Sequence, residues 1–319
     1  MLTVLFATRN RARILRDVLE SYRALVSPAS GWKMVVVDNG STDETIAILK
    51  EYSSCLPLAF LTEPAPGKNA ALNAGLARIE GDLTVFTDDD VFPRRDWLVE
   101  LRRAADAHPE YSIFGGIVVP RWEVPPPPWI GWVDPGPVFT LSPATVKEGE
   151  LSQEYASLVY GPNMLIRSEI FRAGVRFDAG IGPRGTSYPM GSETELVLRL
   201  VRQGHRAWHV TAAVVEHWIR KEQMQQEWVL RRGILCGRGR HRTAPKVPSW
   251  RGIPLHLVRD IPKEAISVFF GWASFRPDAL FRARWRLNIL RGKFIEARNM
   301  AEESSSRTAS SVALSREAR

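Results

Sequence analysis

Three consecutive aspartates, Asp88, Asp89 and Asp90, follow an apolar and β-branched run that starts at Leu83. Such a run predicts a buried strand, and the carboxylates lie where that strand meets solvent. Neighbouring carboxylates repel one another, and Mg²⁺ or Mn²⁺ removes this cost because these ions prefer carboxylate oxygens and leave positions free for phosphate. The pattern therefore indicates a metal held for a phosphate. The alternative is an acidic turn that caps a helix beginning near Arg94.

Polar residues also end two other predicted strands. Thr8 and Asn10 follow the first strand, and Asp38 ends the second. Ligands in open α/β sheets bind beyond the carboxyl ends of the strands. We therefore expect these side chains to share one cleft with the three aspartates.

Four other residues have both a chemical and a structural interpretation. Lys68 begins a helix and could contact a phosphate, or it could be a surface lysine. Glu193 and Glu195 open another helix, where the helix dipole favours acids, but a carboxylate there could also act as a general base toward a hydroxyl. His217 follows a predicted strand, and a lone histidine in that place is more often structural than a ligand.

The elements that position these residues alternate between strands and helices, which predicts a mainly parallel α/β sheet. Ser41 or Thr42 is expected to cap the second helix, and Gly161 to kink the return strand. The predicted strands are 3–7, 33–38, 58–62, 83–87, 113–119 and 159–166, with edge strands in 205–215. The predicted helices are 14–25, 41–49, 68–79, 96–108, a short one from 168, and 191–204.

Composition limits the class of protein. The chain has 319 residues, 45% of them hydrophobic, which suits one large or two modest domains. Two unrelated cysteines exclude a disulfide framework. There is no Gly-x-Gly-x-x-Gly motif after the first strand and no Walker motif, which disfavours dinucleotide and P-loop chemistry. With no signal peptide and no apolar run of about 20 residues, we expect a cytoplasmic protein.

The net charge of +8 is concentrated in the C-terminal third, where residues 220–319 carry 21 Lys and Arg against 9 Asp and Glu. A predicted helix there has apolar residues at helical spacing among basic ones. This helix could lie on an anionic membrane surface, joined by the apolar patch 266–272, or pack on the core as a helical subdomain. Residues 302–319 are predicted to be disordered. The apolar residues of the predicted basic helix are Leu280, Ala283, Leu287, Leu290 and Phe294.

A proline-rich segment, 120–143, interrupts the alternation of strands and helices. Its consecutive prolines exclude regular structure and indicate a long loop or a linker. The tryptophans within it, Trp122, Trp129 and Trp132, could form a platform for a sugar or lipid, or pack onto the domain.

Six motifs, taken together in order and spacing, resemble the family 2 glycosyltransferases over residues 2–240. They are VVVDNGSTDET (35–45), PGKNAALNAGLARIEGD (66–82), FTDDDV (86–91), GPNMLIRSEIF (161–171), GSETELVLRLVRQG (191–204) and VVEHW (214–218). The resemblance implies the GT-A fold of nucleotide-diphospho-sugar transferases, with a catalytic domain at 1–222. Its nucleotide and metal half would be 1–119 and its acceptor half 120–222. A basic helical extension would follow at 223–301.

The resemblance also implies an activity, namely inverting transfer of a sugar from a nucleoside-diphosphate sugar to a hydroxyl. Mn²⁺ or Mg²⁺ would bridge the donor diphosphate. UDP is the commoner donor nucleotide in the family, and the acceptor would be a polysaccharide, a glycolipid or a lipid-linked saccharide. By match to the family motifs, Asp90 is the metal ligand, with Asp88 and Asp89 facing the metal, ribose or sugar. In the same way Asp38 contacts the base, and Thr8, Asn10 and Lys68 contact the nucleotide.

The helix-start motif differs from that of the family. Relatives usually read Gly-Glu-Asp-x-Glu-Leu with the aspartate as catalytic base, whereas here Glu193 takes the base position after Ser192. His217 matches a histidine that in some relatives completes the metal shell. The Gln-x-x-Arg-Trp pattern of processive synthases is missing, which favours a non-processive enzyme.

Three other functions remain as alternatives. A nucleic-acid-binding protein would explain the arginine-rich tail but not the converging acids. A nucleotidyltransferase would bring a Gly-rich basic loop, which the sequence lacks. A sugar-nucleotide-binding protein without activity is made conceivable by the altered base motif.

Overall fold

The computed structural model describes residues 1–245, 247–250 and 252–317, with side chains described up to Glu303. It contains two compact units, each described separately here. Most of the predicted tail, 302–319, lies outside the residues whose side chains are described. The first unit comprises Met1–Pro126, Pro135–Thr186 and Ser192–Lys221, and the second comprises Pro127–Asp134, Ser187–Gly191 and Glu222–Arg319.

A nine-stranded sheet forms the centre of the first unit, in the order β3-β2-β1-β4-β8-β6-β9-β5, with β7 also paired to β9. Strands β1 to β4 are parallel, as are β6 and β9, while β8, β5 and β7 run antiparallel to their neighbours. The predicted α/β class with a largely parallel sheet is confirmed. The strands are β1 Leu2–Thr8, β2 Trp32–Asp38, β3 Leu58–Thr62, β4 Leu83–Phe86, β5 Val91–Pro93, β6 Ile113–Trp122, β7 Gly149–Leu151, β8 Met164–Arg167 and β9 Ala207–Ile219.

The helices of the first unit cover this sheet. They are α1 Ala12–Arg23, α2 Thr45–Tyr52, α3 Lys68–Gly75, α4 Trp97–Ala107, α5 Pro135–Phe139, α6 Ser168–Arg172 and α7 Ser192–Arg202. Helix α3 lies so close to the sheet that a Cβ on Gly75 would come within 2.4 Å of Leu5 Cδ1. The pairing of β1 with β2 sets Thr8 opposite Asp38, so the polar ends of these strands lie side by side.

Several local predictions were wrong. Residues 205–215 do not form edge strands: β9 is one 13-residue strand with partners on both sides. His217 therefore lies inside a strand, and it pairs with Val91 of β5, a three-residue strand too short to have a sequence signal. The return strand begins only at Met164, because residues 161–163 form a 3₁₀ turn.

The start of α2 also differs from the prediction, because its N-cap is Glu44, which makes no side-chain capping bond. The Asp43 carboxylate, and neither Ser41 nor Thr42, accepts a hydrogen bond from the backbone N–H of Thr45 at 3.0 Å. Ser41 and Thr42 instead bond Asn10. The backbone N–H of Asn10 donates to the Ser41 hydroxyl, and the side-chain amide oxygen of Asn10 accepts from the N–H of Thr42. These bonds tie the ends of β1 and β2 together.

The second unit is helical apart from a short hairpin. Its elements are α8 Gln226–Thr243, β10 Ser249–Trp250, β11 Ile253–Pro254, α9 Leu255–Ala273 and α10 Pro277–Glu317. The predicted apolar stripe of α10 is partly packed, since Ala283 and Leu287 are buried and Phe294 is exposed. Trp129 and Trp132 pack against Phe281, with ring centroids 5.3 and 6.1 Å away, which favours packing over a ligand platform. Among the described helices, none combines the length and apolarity needed to cross a membrane.

We expect His209 of β9 to make the protein sensitive to mild acid. The side chain is fully buried, neither ring nitrogen has a hydrogen-bond partner, and burial lowers its pKa from 6.5 to about 4, although Glu148 opposes this shift. The unfolded chain binds the proton first, so stability falls as the pH drops from about 6.5 toward 4, by up to about 3 kcal/mol.

Urea unfolding of the wild type and of His209→Leu at several pH values between 7.5 and 4.5 measures this contribution. The carboxylates titrate in both proteins, so the difference between the two curves isolates the histidine. We expect the variant to lose less stability over this range. Parallel pH dependence in the two proteins would show that His209 contributes nothing to it.

Candidate functional site

The three aspartates lie in the turn between β4 and β5, and an arginine holds two of them. Arg11 Nε lies 3.0 Å from Asp89 Oδ1, and its Nη2 lies 3.3 Å from Asp90 Oδ2. Asp89 and Asp90 are buried. Burial raises the pKa of Asp89 to about 6, with Arg11 opposing this shift and Asp90 adding to it. The two carboxylates are thus aligned by one guanidinium that only partly offsets their repulsion.

Lys68 links the aspartate cluster to Glu193. Its ammonium group, at the start of α3, ion-pairs with Asp88 Oδ1 and lies 2.6 Å from Glu193 Oε1. Burial alone would raise the pKa of Glu193, but Lys68 holds it below its ordinary value. Burial alone would lower the pKa of Lys68, but the two acids raise it. Glu193 is therefore ionised at neutral pH, as a general base must be.

Gly161 leaves the space that the Glu193 carboxylate fills. A Cβ at position 161 would lie 2.5 Å from the carboxyl carbon of Glu193 and 2.6 Å from its Oε1. Real Cβ atoms do not approach other atoms this closely, so a side chain at position 161 would displace the carboxylate. The Gly161-Pro162 sequence that predicted a kink in a strand instead provides room for the candidate base.

His217 faces Asp90 from β9. Its Nδ1 donates to the carbonyl oxygen of Phe139 at 2.7 Å, and its Nε2 lies 3.4 Å from Asp90 Oδ1. Burial alone would lower the pKa of His217, but Asp90 raises it. For Asp90, burial would raise the pKa, but His217 and Arg11 hold it below its ordinary value. Because Nδ1 carries a proton, Nε2 of the neutral ring has a lone pair that faces the Asp90 carboxylate. The two groups therefore attract each other only when a proton or a metal cation lies between them.

The candidate nucleotide residues lie at the same edge of the sheet. Asp38 is fully buried, and its carboxylate accepts hydrogen bonds from the backbone N–H groups of Gly40 and Ser41. Thr8 is buried beside Asp89. Asn10 has a left-handed backbone conformation, with φ 53°, and bridges to the turn after β2. Asp38 and Asn10 thus make their hydrogen bonds to the turn after β2, whereas Lys68 and His217 contact the acids.

Two residues of this site were missed by the sequence analysis. Arg11 had a signal, since a cation at the start of a helix opposes the helix dipole and calls for a compensating role. Asn39 had none: its amide donates to the carbonyls of Glu63 and Ala65 and accepts from the N–H of Gly67 at 2.9 Å. Asn39 therefore fixes the loop 63–67, which precedes Lys68 and positions it.

The donor set suits a divalent cation shared with a ligand. Four carboxylates, Asp88, Asp89, Asp90 and Glu193, face Arg11 and Lys68, and Arg220 also acts on Asp90, which leaves a negative excess when His217 is neutral. Within the described residues, no group of three or more His, Cys, Asp or Glu side chains could hold a metal by itself. Asp90 and His217 would be the protein donors, with phosphate and water completing the shell, as is usual for Mg²⁺. A histidine ligand commonly donates its other ring N–H to a backbone carbonyl, as His217 does.

The chain matches a protein-family model over more than half of its length. The model described as Glycosyl transferase family 2 matches residues 3–174. The chain is similar to the pre-mycofactocin glycosyltransferase of Mycobacterium tuberculosis, with 27% identity over 81% of this chain and 52% of the relative. It is also similar to the glycosyltransferase AglE of Haloferax volcanii, with 32% identity over 30% of this chain and 32% of the relative. The chain thus spans about half and about a third of these relatives' lengths.

Two solved structures share the fold. A mannosyltransferase from Pyrobaculum calidifontis, in complex with GDP-Man and Mn²⁺, aligns with a TM-score of 0.56 and 19% identity over 98% of this chain and 79% of its own. Residues 1–349 of Staphylococcus aureus TarS, in complex with UDP-GlcNAc, align with a TM-score of 0.55 and 17% identity over 96% of this chain and 92% of that one. The predicted GT-A fold is confirmed.

Proposed function

This chain belongs to the family 2 glycosyltransferases, and from that membership we propose that it transfers a sugar from a nucleoside-diphosphate sugar to a hydroxyl acceptor, with inversion. The observation that carries the proposal is the ion pair of Lys68 with both Asp88 and Glu193. It joins a candidate base on α7 to an acidic cluster suited to a metal and a diphosphate. Attack and departure of the leaving group can therefore take place in one connected site.

Glu193 acts as the general base. Its ionised carboxylate takes the proton of the acceptor hydroxyl as that oxygen attacks the sugar on the face opposite the diphosphate. Lys68 keeps the carboxylate charged and oriented in the free enzyme. A bound diphosphate gives this ammonium group a competing anion. As Lys68 shifts toward the diphosphate, the burial of Glu193 raises its pKa and makes it a stronger base.

At the donor end, Arg11 aligns Asp89 and Asp90 for the diphosphate side of the site. Asp90 and His217, with Asp88 beside them, would hold Mn²⁺ or Mg²⁺, which would neutralise charge on the leaving diphosphate. Asp38 contacts the nucleotide base. Thr8 and Asn10 bind the remainder of the nucleoside, and Asp89 faces the ribose or sugar.

The acceptor is a saccharide hydroxyl, on a polysaccharide, a glycolipid or a lipid-linked saccharide, and the enzyme is non-processive and works in the cytoplasm. The convergence of acids supports a diphosphate held through a metal ion, whereas nucleic-acid binding would leave these acids unexplained. An inactive sugar-nucleotide-binding protein is the remaining alternative, distinguished by the assay below.

A screen of donors with and without Mn²⁺ tests the proposal. We expect one of UDP-, GDP- or dTDP-sugars to raise the melting temperature, and to do so more with Mn²⁺ present, because binding to the folded state alone stabilises it. The stabilising donor should then be consumed, by transfer or by slow hydrolysis, with release of the nucleoside diphosphate. Stabilisation without consumption would indicate a binding protein, and no stabilisation by any donor would contradict the proposal.

A further inference from the structure

Helix α9 exposes an unusual number of large apolar side chains. Of the apolar residues that the described part of the chain leaves exposed by more than a third, seven lie between positions 255 and 275, and three lie in the whole first unit. The most exposed is Phe275, at 92%. A contiguous apolar surface of this kind marks a place where another molecule or a membrane binds. The seven are Leu255, Val258, Ile266, Phe269, Phe270, Trp272 and Phe275.

The opposite face of α9 is the one that packs within the second unit. Leu257 and Gly271 are buried, and Glu264 Oε1 lies 3.0 Å from Arg286 Nε of α10. These three α9 residues are seven apart and form one stripe. A Cβ on Gly271 would lie 2.8 Å from Leu280 Cα, so α9 and α10 are in close contact there. The exposed apolar residues from Leu255 to Phe270 point to the other side of the helix, away from this packed stripe.

Basic residues lie within and beside the exposed apolar face. By helical position Arg259 lies between Ile266 and Phe270, and Lys263, one turn further along, lies at the edge of the face. Beside them is a cavity of about 410 Å³ whose lining also includes Arg240 and Arg286. The cavity has only two acids, Asp260 and Glu264, which pair with Arg259 and Arg286. The lining therefore carries an excess of two positive charges next to an apolar surface.

We propose that α9 is a membrane-docking helix that lies in the interface of an anionic bilayer, with its phenylalanines and Trp272 inserted and the cavity beside it taking a lipid phosphate. Tryptophan and phenylalanine on one face with Lys and Arg along its edge are the features of interfacial helices. The positive excess fits anionic headgroups. In a symmetric dimer formed through α9, the positive charges of one copy would instead face those of the other copy and repel them. The proposal goes beyond sugar transfer, since docking needs neither donor nor metal.

Co-sedimentation of the full chain with vesicles of phosphatidylcholine, with and without phosphatidylglycerol, tests this surface. We expect binding that is tighter to the anionic vesicles. Phe269→Asn with Trp272→Asn should weaken binding to both kinds of vesicle at least tenfold. Arg259→Gln with Lys263→Gln should reduce the anionic preference by about fivefold for each charge removed. Matched controls are Val26→Asn with Tyr155→Asn, and Arg23→Gln with Arg103→Gln, which change exposed residues of the same kinds in the first unit and should bind as the wild type does.

A second measurement does not depend on disruptive variants. Brominated lipids should quench part of the wild-type tryptophan fluorescence, and Trp272→Phe, which keeps the apolar face, should lose that part while still binding. Failure of the wild type to bind anionic vesicles would overturn the proposal, as would equal binding by the α9 variants. So would a wild-type dimer that the apolar variant converts to a monomer without any vesicle binding, because the face would then join two copies.

Discussion

Glu193→Gln is expected to lower the turnover number by roughly 10²- to 10⁴-fold, the usual contribution of a general base. The amide cannot accept the proton of the acceptor hydroxyl, yet it has nearly the shape of the carboxylate that Gly161 accommodates. Lys68 keeps Asp88 as a partner, so donor binding should change little. Steady-state transfer kinetics, together with calorimetric binding of the donor nucleotide, separate these two effects.

Glu195→Gln is the matched control for this variant. Glu195 lies in the same first turn of α7, but among the described contacts its carboxylate pairs with Arg199, at 2.8 Å, and not with Lys68. We expect its turnover number to stay within about twofold of the wild type. Activity of Glu193→Gln close to that of the wild type would remove Glu193 from the role of base. An equal loss in both variants would indicate a general disturbance of α7.

Asp90→Asn is expected to abolish most of the metal-dependent part of donor binding. The substitution removes the negative charge that faces both Arg11 and His217 and takes away the better of the two protein donors for a cation. We expect the dissociation constant for the donor nucleotide with Mn²⁺ to rise at least roughly a hundredfold, above the 10- to 100-fold typical of a residue that only supports a ligand.

Calorimetry with the nucleoside diphosphate, in the presence and absence of Mn²⁺, measures this effect. Without the ion, wild type and variant should bind similarly weakly. Asp106→Asn is the control, since Asp106 is an exposed carboxylate on α4 that pairs only with Arg102 among the contacts described. If Mn²⁺ strengthened nucleotide binding by Asp90→Asn as much as by the wild type, Asp90 would not be a ligand of the metal.

The parts of the fold that followed from sequence are those governed by local pattern. Apolar β-branched runs ending in polar residues identified β1, β2 and β4, and the alternation with helices identified the parallel half of the sheet. Helix α1 agrees with its spacing of buried residues, as does α7. The expected capping of α2 by Ser41 or Thr42 did not follow, because both residues bond Asn10 at the end of β1 instead.

The C-terminal third shows the limit of pattern most clearly. The apolar stripe of α10 and the apolar residues of α9 have similar sequence signals, yet Ala283 and Leu287 of the first are buried, whereas most large apolar residues of α9 are exposed. Periodicity says that a helix has an apolar face but not what that face contacts. The two interpretations of this region therefore apply to different helices. Packing is observed for α10, and membrane binding is proposed for α9.

By itself, the sequence determined the class of fold, the family and the chemical types available at the sheet edge, since each depends on residue identity and spacing along the chain. Only the tertiary structure decided which charges meet. Arg11 and the Asp89–Asp90 pair are far apart in sequence, as are Lys68 and Glu193 and as are His217 and Asp90. Electrostatic interactions depend on distance in space and on burial, so the balance of the site exists only once strands and helices have brought those groups together.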